Sequence, residues 1–252
     1  MAGKQANTIQ EVLDILDEII SDSKEKQSPI GYFAALYRTV TEQVKKGIEN
    51  HEFDNNPRME RLDVIFANRY IEAYLNYQSG KANTKSWQVA FALSEKYWPI
   101  VLQHLLVGMN AHIALDLGIA AAEVSVGKDI NDLKNDFDKI NGVLSSLVGE
   151  VEKDLSRIWP TLRVLLRYTR KVDNFLIDFN MEYARDKAWE FAVELSGKPQ
   201  DQWPDVIRLR DEKVARFGQT IGNPGWLVNA ILSVVRIGEK GSVSSRIEEL
   251  AN

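Results

Sequence analysis

The sequence predicts an all-α protein: one domain, 1–252, folded as a bundle of about eight to ten helices around one nearly fully buried helix, 99–124. Apolar residues recur at steps of three and four from end to end, which is the period of an amphipathic helix. No segment shows the alternation of β-branched and aromatic residues that is typical of strands. A chain of 252 residues also buries enough surface to be stable without a metal or a disulfide. Frayed tails are expected at 1–7 and 250–252.

Composition disfavours one class of function and excludes others. The net charge of −5 and a pI near 5.4 argue against an electrostatic nucleic-acid binder, because such proteins carry a basic surface. The chain has no cysteine, so thiolate catalysis and thiolate zinc sites are excluded. The N-terminus has no apolar signal core, and no uninterrupted apolar run is long enough to span a membrane. We therefore expect a soluble cytoplasmic protein.

Four amphipathic helices are predicted in the first hundred residues. The first follows Thr8, the second runs from about Pro29 to Glu49, and the third ends at Ser79-Gly80. The residues expected to start the third and fourth helices are Asn56 as cap with Pro57 in the first turn, and Thr84 as cap. The fourth helix is expected to carry Trp87, Phe91 and Trp98.

The second half of the chain is also predicted to be helical. Residues 130–151 carry apolar side chains at alternating steps of three and four, which form a narrow seam that packs within the bundle or against a second subunit. The members of this seam are Ile130, Leu133, Phe137, Ile140, Leu144, Leu147 and Val151. The later helices are expected at about Pro160–Tyr168, Lys171–Leu195, Trp203–Phe217 and Pro224–Ile237.

The apolar helix that follows Pro99 carries polar residues that solubility does not explain. At about 100° per residue, His104, His112, Asp116 and Glu123 share roughly a third of its circumference, while Gln103 and Asn110 lie on another side. Gly108 lies on the stripe of the two histidines and leaves room there for a neighbouring helix or a ligand.

His112 and Asp116 are four residues apart, so they can bond to each other or reach one ligand or metal. A buried carboxylate needs a donor or a proton. Arg69, on the apolar side of the third helix, is a second candidate donor besides His112, and the neighbouring Tyr70 can add a hydroxyl. Such a cluster favours acid/base chemistry. The same residues also fit a structural network that fixes the register of the helices.

The segment from His104 to Gly118, HLLVGMNAHIALDLG, resembles the signature of an uncharacterised, mainly bacterial family of unknown function, DUF5995, which has an HLLLGMNAHINLDLG-type motif. The stretches Phe66-Ala-Asn-Arg69-Tyr70 and Trp87-Gln-Val-Ala-Phe91 are similar to that family too, so the resemblance covers about residues 57–145. This chain has Ala114 where the family often has asparagine, which puts any role of that amide in doubt here. The resemblance supports the choice of residues and implies no reaction.

The leading hypothesis is an enzyme, or a protein derived from one, that binds a small and partly apolar molecule inside the bundle. His112 is expected to be the acid/base group, oriented by Asp116, while Arg69 and Tyr70 hold the ligand. His104 is a further catalytic candidate, and Asn110 and Gly108 are further ligand-binding candidates.

Two alternatives remain open. One is a non-catalytic interaction protein with a structural polar core and a homodimer contact through the 130–151 seam. The other is a metal-dependent hydrolase that holds a divalent metal with His51, His112 and Asp116. The sequence itself requires no cofactor.

Overall fold

Ten α-helices and no strand make up the part of the chain that the computed structural model describes, which is residues 5–142, 157–158 and 181–251. The prediction of an all-α fold is therefore confirmed. The helices are α1 (Ile9–Glu25), α2 (Ile30–Glu49), α3 (Asn56–Gln78), α4 (Lys85–Ser94), α5 (Val101–Ala111), α6 (Gly118–Val124), α7 (Met181–Ser196), α8 (Trp203–Gly222), α9 (Trp226–Gly238) and α10 (Val243–Ala251).

One long apolar helix forms the centre of the fold. It consists of α5, a π-helical segment at His112–Leu117 and α6. Helix α5 packs against α2, α4 and α8, whereas the π segment and α6 pack against α3 and α7. By length and composition Val101–Val124 is the one helix in the described ranges that could cross a membrane, but 83% of its apolar window is buried inside the protein. Contact with the surrounding helices accounts for its apolar composition.

The predicted N-cap residue is correct for the first helix. For the third helix the prediction is wrong by one residue. Thr8 Oγ1 accepts the backbone N–H of Glu11 at 3.2 Å, so it caps α1. The cap of α3 is Asn55 rather than Asn56, because the Asn55 side chain accepts the third backbone N–H after it at 3.0 Å. Helix α4 ends at Ser94, so Trp98 lies beyond it and is exposed.

Carboxylates from distant parts of the chain cap α4 and α5 and bind the turn that precedes α3. Asp136 accepts two backbone N–H groups in the turn that enters α3, at 2.6 and 3.0 Å. Asp211 accepts the first two N–H groups of α4, at 2.7 and 2.9 Å, and Glu239 accepts the first of α5, at 2.8 Å. Thr84 occupies the expected N-cap position of α4, but its side chain makes no capping bond. A carboxylate satisfies orphan N–H groups and favours the positive end of the helix dipole.

The described part of the 130–151 seam packs inside the monomer. The chain first forms a 3₁₀ turn at Ile130–Leu133 and then a helical segment at 134–142. The buried seam residues Ile130, Leu133, Phe137 and Ile140 join the core around α6 and α7. Leu144, Leu147 and Val151, the helix expected at Pro160–Tyr168 and the first part of Lys171–Leu195 lie outside the described residues.

Residues near both ends of the described chain pack against the core. Ala6 is buried, and its backbone N–H and carbonyl both bond to the amide of Asn68, at 2.9 and 2.8 Å. At the other end α10, which the periodicity did not predict as a helix, packs against α1 and α2 and buries Ile247 and Leu250. Residues 1–4 and 252 of the expected tails lie outside the described residues.

Candidate functional site

The two residues at the centre of the predicted site, His112 and Asp116, both lie in the π-helical segment. Each π turn contains more than the usual 3.6 residues, and such segments occur frequently at functional sites. The segment is enclosed by α3, α7 and α8, and both side chains are buried. The local change of helix type thus occurs where the apolar helix carries its polar pair.

Asp116 is held by three donors from three parts of the fold. Its Oδ1 accepts Arg69 Nε at 2.9 Å, and its Oδ2 accepts the indole N–H of Trp87 at 2.8 Å. His112 Nδ1 lies 3.4 Å from the same Oδ2. Arg69 was predicted as a candidate donor to Asp116, and the structure shows that bond; its Nη1 also lies 3.8 Å from Glu123. Its expected role as a donor to the ligand stays a prediction.

His112 stands in an aromatic box. Its ring stacks on Phe66 with centroids 3.6 Å apart, and Tyr37 contacts it edge-on at 4.5 Å. Phe33 lies edge-on at 5.6 Å, and Tyr70 and Trp87 are both 6.1 Å away. Within the described part of the chain, His112 Nε2 is buried without a hydrogen-bond partner. The same is true of the hydroxyl groups of Tyr37 and Tyr70.

The charges in this cluster follow from burial and from Arg69. Burial opposes ionisation of Asp116, but Arg69, His112 and Trp87 together outweigh it and lower the pKa of this carboxyl. Burial lowers the pKa of His112, and although Asp116 opposes this shift, it does not reverse it. Near neutral pH the site therefore holds an ionised aspartate and a neutral histidine. The ionised carboxylate can only accept, so Nδ1 carries the histidine proton and Nε2 carries a lone pair.

Gly108 and His104 lie one and two turns before His112. A side chain at Gly108 would meet Phe33 at 2.7 Å, so the glycine makes room for a neighbouring helix. The chain also has a small cavity of about 20 Å³, room for about one water molecule, that is lined by Phe33, Tyr70 and Trp87 together with Gly108 and His104. Phe33 contacts both this cavity and His112, whereas His112 itself does not line the cavity.

Other predicted residues serve packing. Asn110 donates to the Val214 carbonyl at 2.9 Å, and Gln103 donates to the Ile221 carbonyl at 2.9 Å. Both side chains therefore face α8. The sequence predicted that they lie on a different side of the helix from the two histidines. His104 is buried against Tyr32, and burial, with a contribution from Arg236, lowers its pKa to about 3 despite a bond to the Pro99 backbone.

The three candidate metal ligands are not brought together. His51 is exposed just after α2 and its ring lies 3.3 Å from the Asn56 amide, whereas His112 and Asp116 are buried in the central helix. In the ranges that the structure describes, no group of three histidine, aspartate or glutamate side chains is placed to hold a metal ion.

Sequence reasoning missed several buried polar groups on α2, α3 and α4. Trp87 was assigned only to an apolar helix face, although its indole N–H bonds to Asp116. Tyr37 and Thr41 on α2 and Asp63 on α3 were not selected, although each has a buried side-chain oxygen without a partner among the described residues. The spacing of Tyr37 and Thr41 on one apolar face was the available signal, but it does not distinguish core residues from site residues.

A family model for DUF5995, a family of unknown function, matches residues 9–224. The chain belongs to this family. The match extends on both sides beyond the 57–145 stretch that carried the resemblance, and it includes every residue of the candidate site. Helices α9 and α10 lie after the matched range of this DUF5995 member. No curated protein and no solved structure matches the chain.

Proposed function

We propose that this DUF5995 protein binds a small, partly apolar molecule beside His112 and uses the His112–Asp116 pair for acid/base chemistry. One observation carries the proposal: His112 Nδ1 faces an ionised carboxylate while its buried Nε2 has no partner in the described structure. Buried polar atoms are almost always hydrogen-bonded, and exceptions occur at catalytic sites. This arrangement suits a general base whose tautomer is fixed by its neighbour.

The surroundings of His112 define the class of ligand. Phe33, Tyr37, Phe66 and Tyr70 supply apolar ring surface on several sides of the imidazole. The hydroxyl groups of Tyr37 and Tyr70 supply two donors that the protein leaves without partners among the described residues. A small planar molecule with one acidic O–H or N–H group matches these features, because its proton can be accepted by Nε2.

Access to Nε2 requires a movement of Phe33. Phe33 lines the cavity of about 20 Å³ and its ring also contacts His112, and the volume of the cavity is too small for an aromatic ligand. Rotation of Phe33 would join the cavity to the imidazole. Tyr70 and Trp87 line the cavity and also approach His112, so they would form the walls of the enlarged site.

A second candidate function is a non-catalytic helical interaction protein. The observation that favours it is the complete set of donors around Asp116, which links α3, α4 and the central helix as a structural network would. The predicted cytoplasmic location, the lack of a nucleic-acid partner and the dimer contact through 130–151 stay predictions. A hydrolytic metal site has no support from the described residues.

Binding of phenol, compared with toluene, tests the proposal. We expect phenol to bind at least ten times more tightly and to shift the His112 Nε2 signal in long-range ¹H–¹⁵N spectra of histidine-labelled protein. His112→Phe keeps an aromatic ring on Phe66 and should abolish the preference for phenol, whereas His51→Gln, at an exposed histidine, should retain it. Equal binding of phenol and toluene with an unchanged Nε2 signal, or an Nε2 that already carries the proton, would overturn the base assignment. If His112→Phe does not fold, His112→Gln serves the same comparison.

A further inference from the structure

Helix α9 presents a continuous apolar stripe to solvent. The members of the stripe are Trp226, Leu227, Ala230, Val234 and Ile237. Trp226 is 82% exposed, Ile237 78% and Val234 63%, while Leu232 and Val235 on the opposite side of the helix are buried. Apolar residues that are exposed singly are normal, but a contiguous exposed set marks an interaction site.

Two exposed aromatic residues extend this stripe at the C-terminal end of α9. Arg236 Nε donates to the Tyr97 carbonyl at 2.8 Å, and its guanidinium carbon lies 5.1 Å from the centre of the Tyr97 ring. The ring of Trp98 follows, with its centroid 5.3 Å from that of Tyr97. Tyr97 is 72% exposed and Trp98 55%. The stripe and these two rings together are called the α9 face.

The size of the α9 face matches one half of a stable dimer interface. A fully exposed aromatic side chain presents about 150–250 Å², so at the observed exposures the α9 face presents roughly 700–800 Å². The largest apolar patch on a typical monomer is about 300–600 Å². A standard interface buries about 800 Å² on each partner. The α9 face is therefore larger than a protein without a partner usually exposes.

None of the members of the α9 face is charged. Arg236 is the only charged residue of α9, and its Nη1 is paired with Glu239 Oε2 at 2.6 Å. The chain as a whole has a net charge of −5, so two copies repel each other over much of their surface. A contact between two copies is favoured at an apolar face where that repulsion is weakest.

The spacing along α9 is self-complementary. Leu227, Ala230, Val234 and Ile237 are separated by steps of three, four and three, which is the a and d seam of a helix pair. A two-fold axis perpendicular to α9 at the level of Leu232 places Ala230 against Val234 of the second copy. The same axis places Leu227 against Ile237 of that copy. Such a contact is isologous, and the small side chain of Ala230 leaves room for the valine opposite.

We propose that the α9 face binds a second copy of this chain, with the two α9 helices antiparallel. This surface differs from the 130–151 seam, whose described members are buried inside the monomer. The proposal goes beyond the proposed function, because His112 is buried in the central helix and is not part of the α9 face.

Sedimentation equilibrium of the full chain tests the contact. We expect the wild-type mass to rise from 28.6 kDa towards twice that value between about 1 µM and about 200 µM, since a seam of two heptads gives a dissociation constant of micromolar order. At about 1 µM the chain is then a monomer, so substitutions on α9 affect its unfolding there only through the monomer itself.

A pair of matched variants locates the contact. Val234→Asp places a charge against the second copy and should keep the mass at 28.6 kDa over the whole concentration range. Val193→Asp makes the same change at an exposed valine of α7 and should associate as the wild type does. A wild-type mass that stays at the monomer value, or an unchanged rise in Val234→Asp, would overturn the proposal.

Disulfide formation tests the orientation with substitutions that keep the face uncharged. The chain has no cysteine, so Ala230→Cys and Val234→Cys each introduce a single thiol. After the two variants are mixed and oxidised, intact-mass spectrometry should show the mixed disulfide in excess over both homodimers. An excess of the two homodimers would indicate parallel helices and overturn the antiparallel arrangement.

A lipid surface is the competing occupant, because tryptophan and tyrosine also favour membrane interfaces. Flotation with vesicles of phosphatidylcholine and phosphatidylserine distinguishes the two. A wild type that stays monomeric and floats with the vesicles, while Val234→Asp does not, would overturn the dimer and assign the α9 face to lipid. None of these outcomes bears on phenol binding at His112, so the two proposals can fail separately.

Discussion

At the scale of single residues, whether a buried carboxyl or imidazole group is charged depends on the donors and charges that it contacts in the core. Asp116 stays ionised because Arg69, His112 and Trp87 reach it, whereas Asp63 meets no cation and its pKa rises to about 7. The two aspartates thus have opposite pKa shifts at similar burial. Sequence reasoning predicted the Asp116 cluster from helical spacing, but it could not find Asp63, because a single aspartate in an amphipathic helix usually faces solvent.

Asp116→Asn keeps the shape of the side chain and removes its charge. Arg69 then loses its ionic acceptor and the amide presents N–H groups to other donors, so we expect the free energy of unfolding to fall by about 2–4 kcal/mol. Urea denaturation measures the change. Asp138→Asn, at an exposed position, is the control and should change stability by less than about 0.5 kcal/mol. A similarly small loss for Asp116→Asn would contradict the role of the three donors.

From the burial of His104 we expect a specific loss of stability in acid. Its pKa is lowered from 6.5 to about 3 in the folded protein, chiefly by burial and next by Arg236. The unfolded chain therefore binds a proton first, and the stability present above pH 6.5 is lost as the pH falls from 6.5 towards 3. His112 titrates in the same direction. Chemical denaturation at a series of pH values should give a shallower acid slope for His104→Gln than for the wild type, and equal slopes would disprove this assignment.

At the scale of elements, the helices form locally but several are completed by distant residues. Thr8 caps α1 within its own turn, as the sequence predicted. Helices α4 and α5 are instead capped by Asp211 and Glu239, which are far away in the chain, and Asp136 binds the turn before α3 in addition to its local cap. These carboxylates join the starts of three neighbouring helices to the second half of the protein. A search for caps within a local window could not identify them, because nothing in the sequence near each helix specifies the partner.

Asp211→Ala tests capping over long range. Removing two bonds to the start of α4 should lower the free energy of unfolding by about 1–2 kcal/mol, as for other N-caps. Thr84→Ala removes the local residue that makes no capping bond and should cost less than about 0.5 kcal/mol. Equilibrium denaturation of both variants gives the comparison. A larger loss for Thr84→Ala than for Asp211→Ala would show that the local residue is the true cap.

Gly108→Ala tests the close packing of α5 on α2. The added carbon would lie 2.7 Å from two ring atoms of Phe33, so the ring must shift, at an expected cost of about 1–3 kcal/mol. Gly142→Ala adds the same carbon where no atom of the described residues lies within 4 Å, and it should be neutral or slightly stabilising. Thermal unfolding separates the two. If Gly108→Ala is as stable as the wild type, Phe33 moves readily, which would ease access to His112.

At the scale of the whole molecule, the C-terminal helix completes a core that begins at the N-terminus. Helix α10 lies beyond the family match, yet Ile247 is fully buried and packs over Gly31 of α2. By contrast α9, also beyond the match, exposes Trp226, Val234 and Ile237. The central helix is buried among elements drawn from both halves of the chain. Stability of the site therefore depends on residues that are remote from it in sequence.

Ile247→Ala measures the contribution of α10. Loss of a fully buried isoleucine side chain should lower the free energy of unfolding by about 2–5 kcal/mol. The same substitution at the exposed Ile237 of α9 removes the same atoms without a cavity and should change stability by less than about 0.5 kcal/mol. Urea denaturation of the pair isolates the effect of burial. Similar values for both variants would mean that α10 does not dock as described.

The sequence by itself determined the all-α fold, the existence of the buried central helix and the pairing of His112 with Asp116 and Arg69. These follow from helical periodicity and from the need of a buried carboxylate for donors, both of which can be read locally. Only the tertiary structure decided the π-helical segment, the indole bond of Trp87, the long-range caps, the position of Phe33 and the isolation of Asp63. Each of these features depends on contacts between residues that are distant in the chain. Such contacts produce no periodic pattern in the sequence.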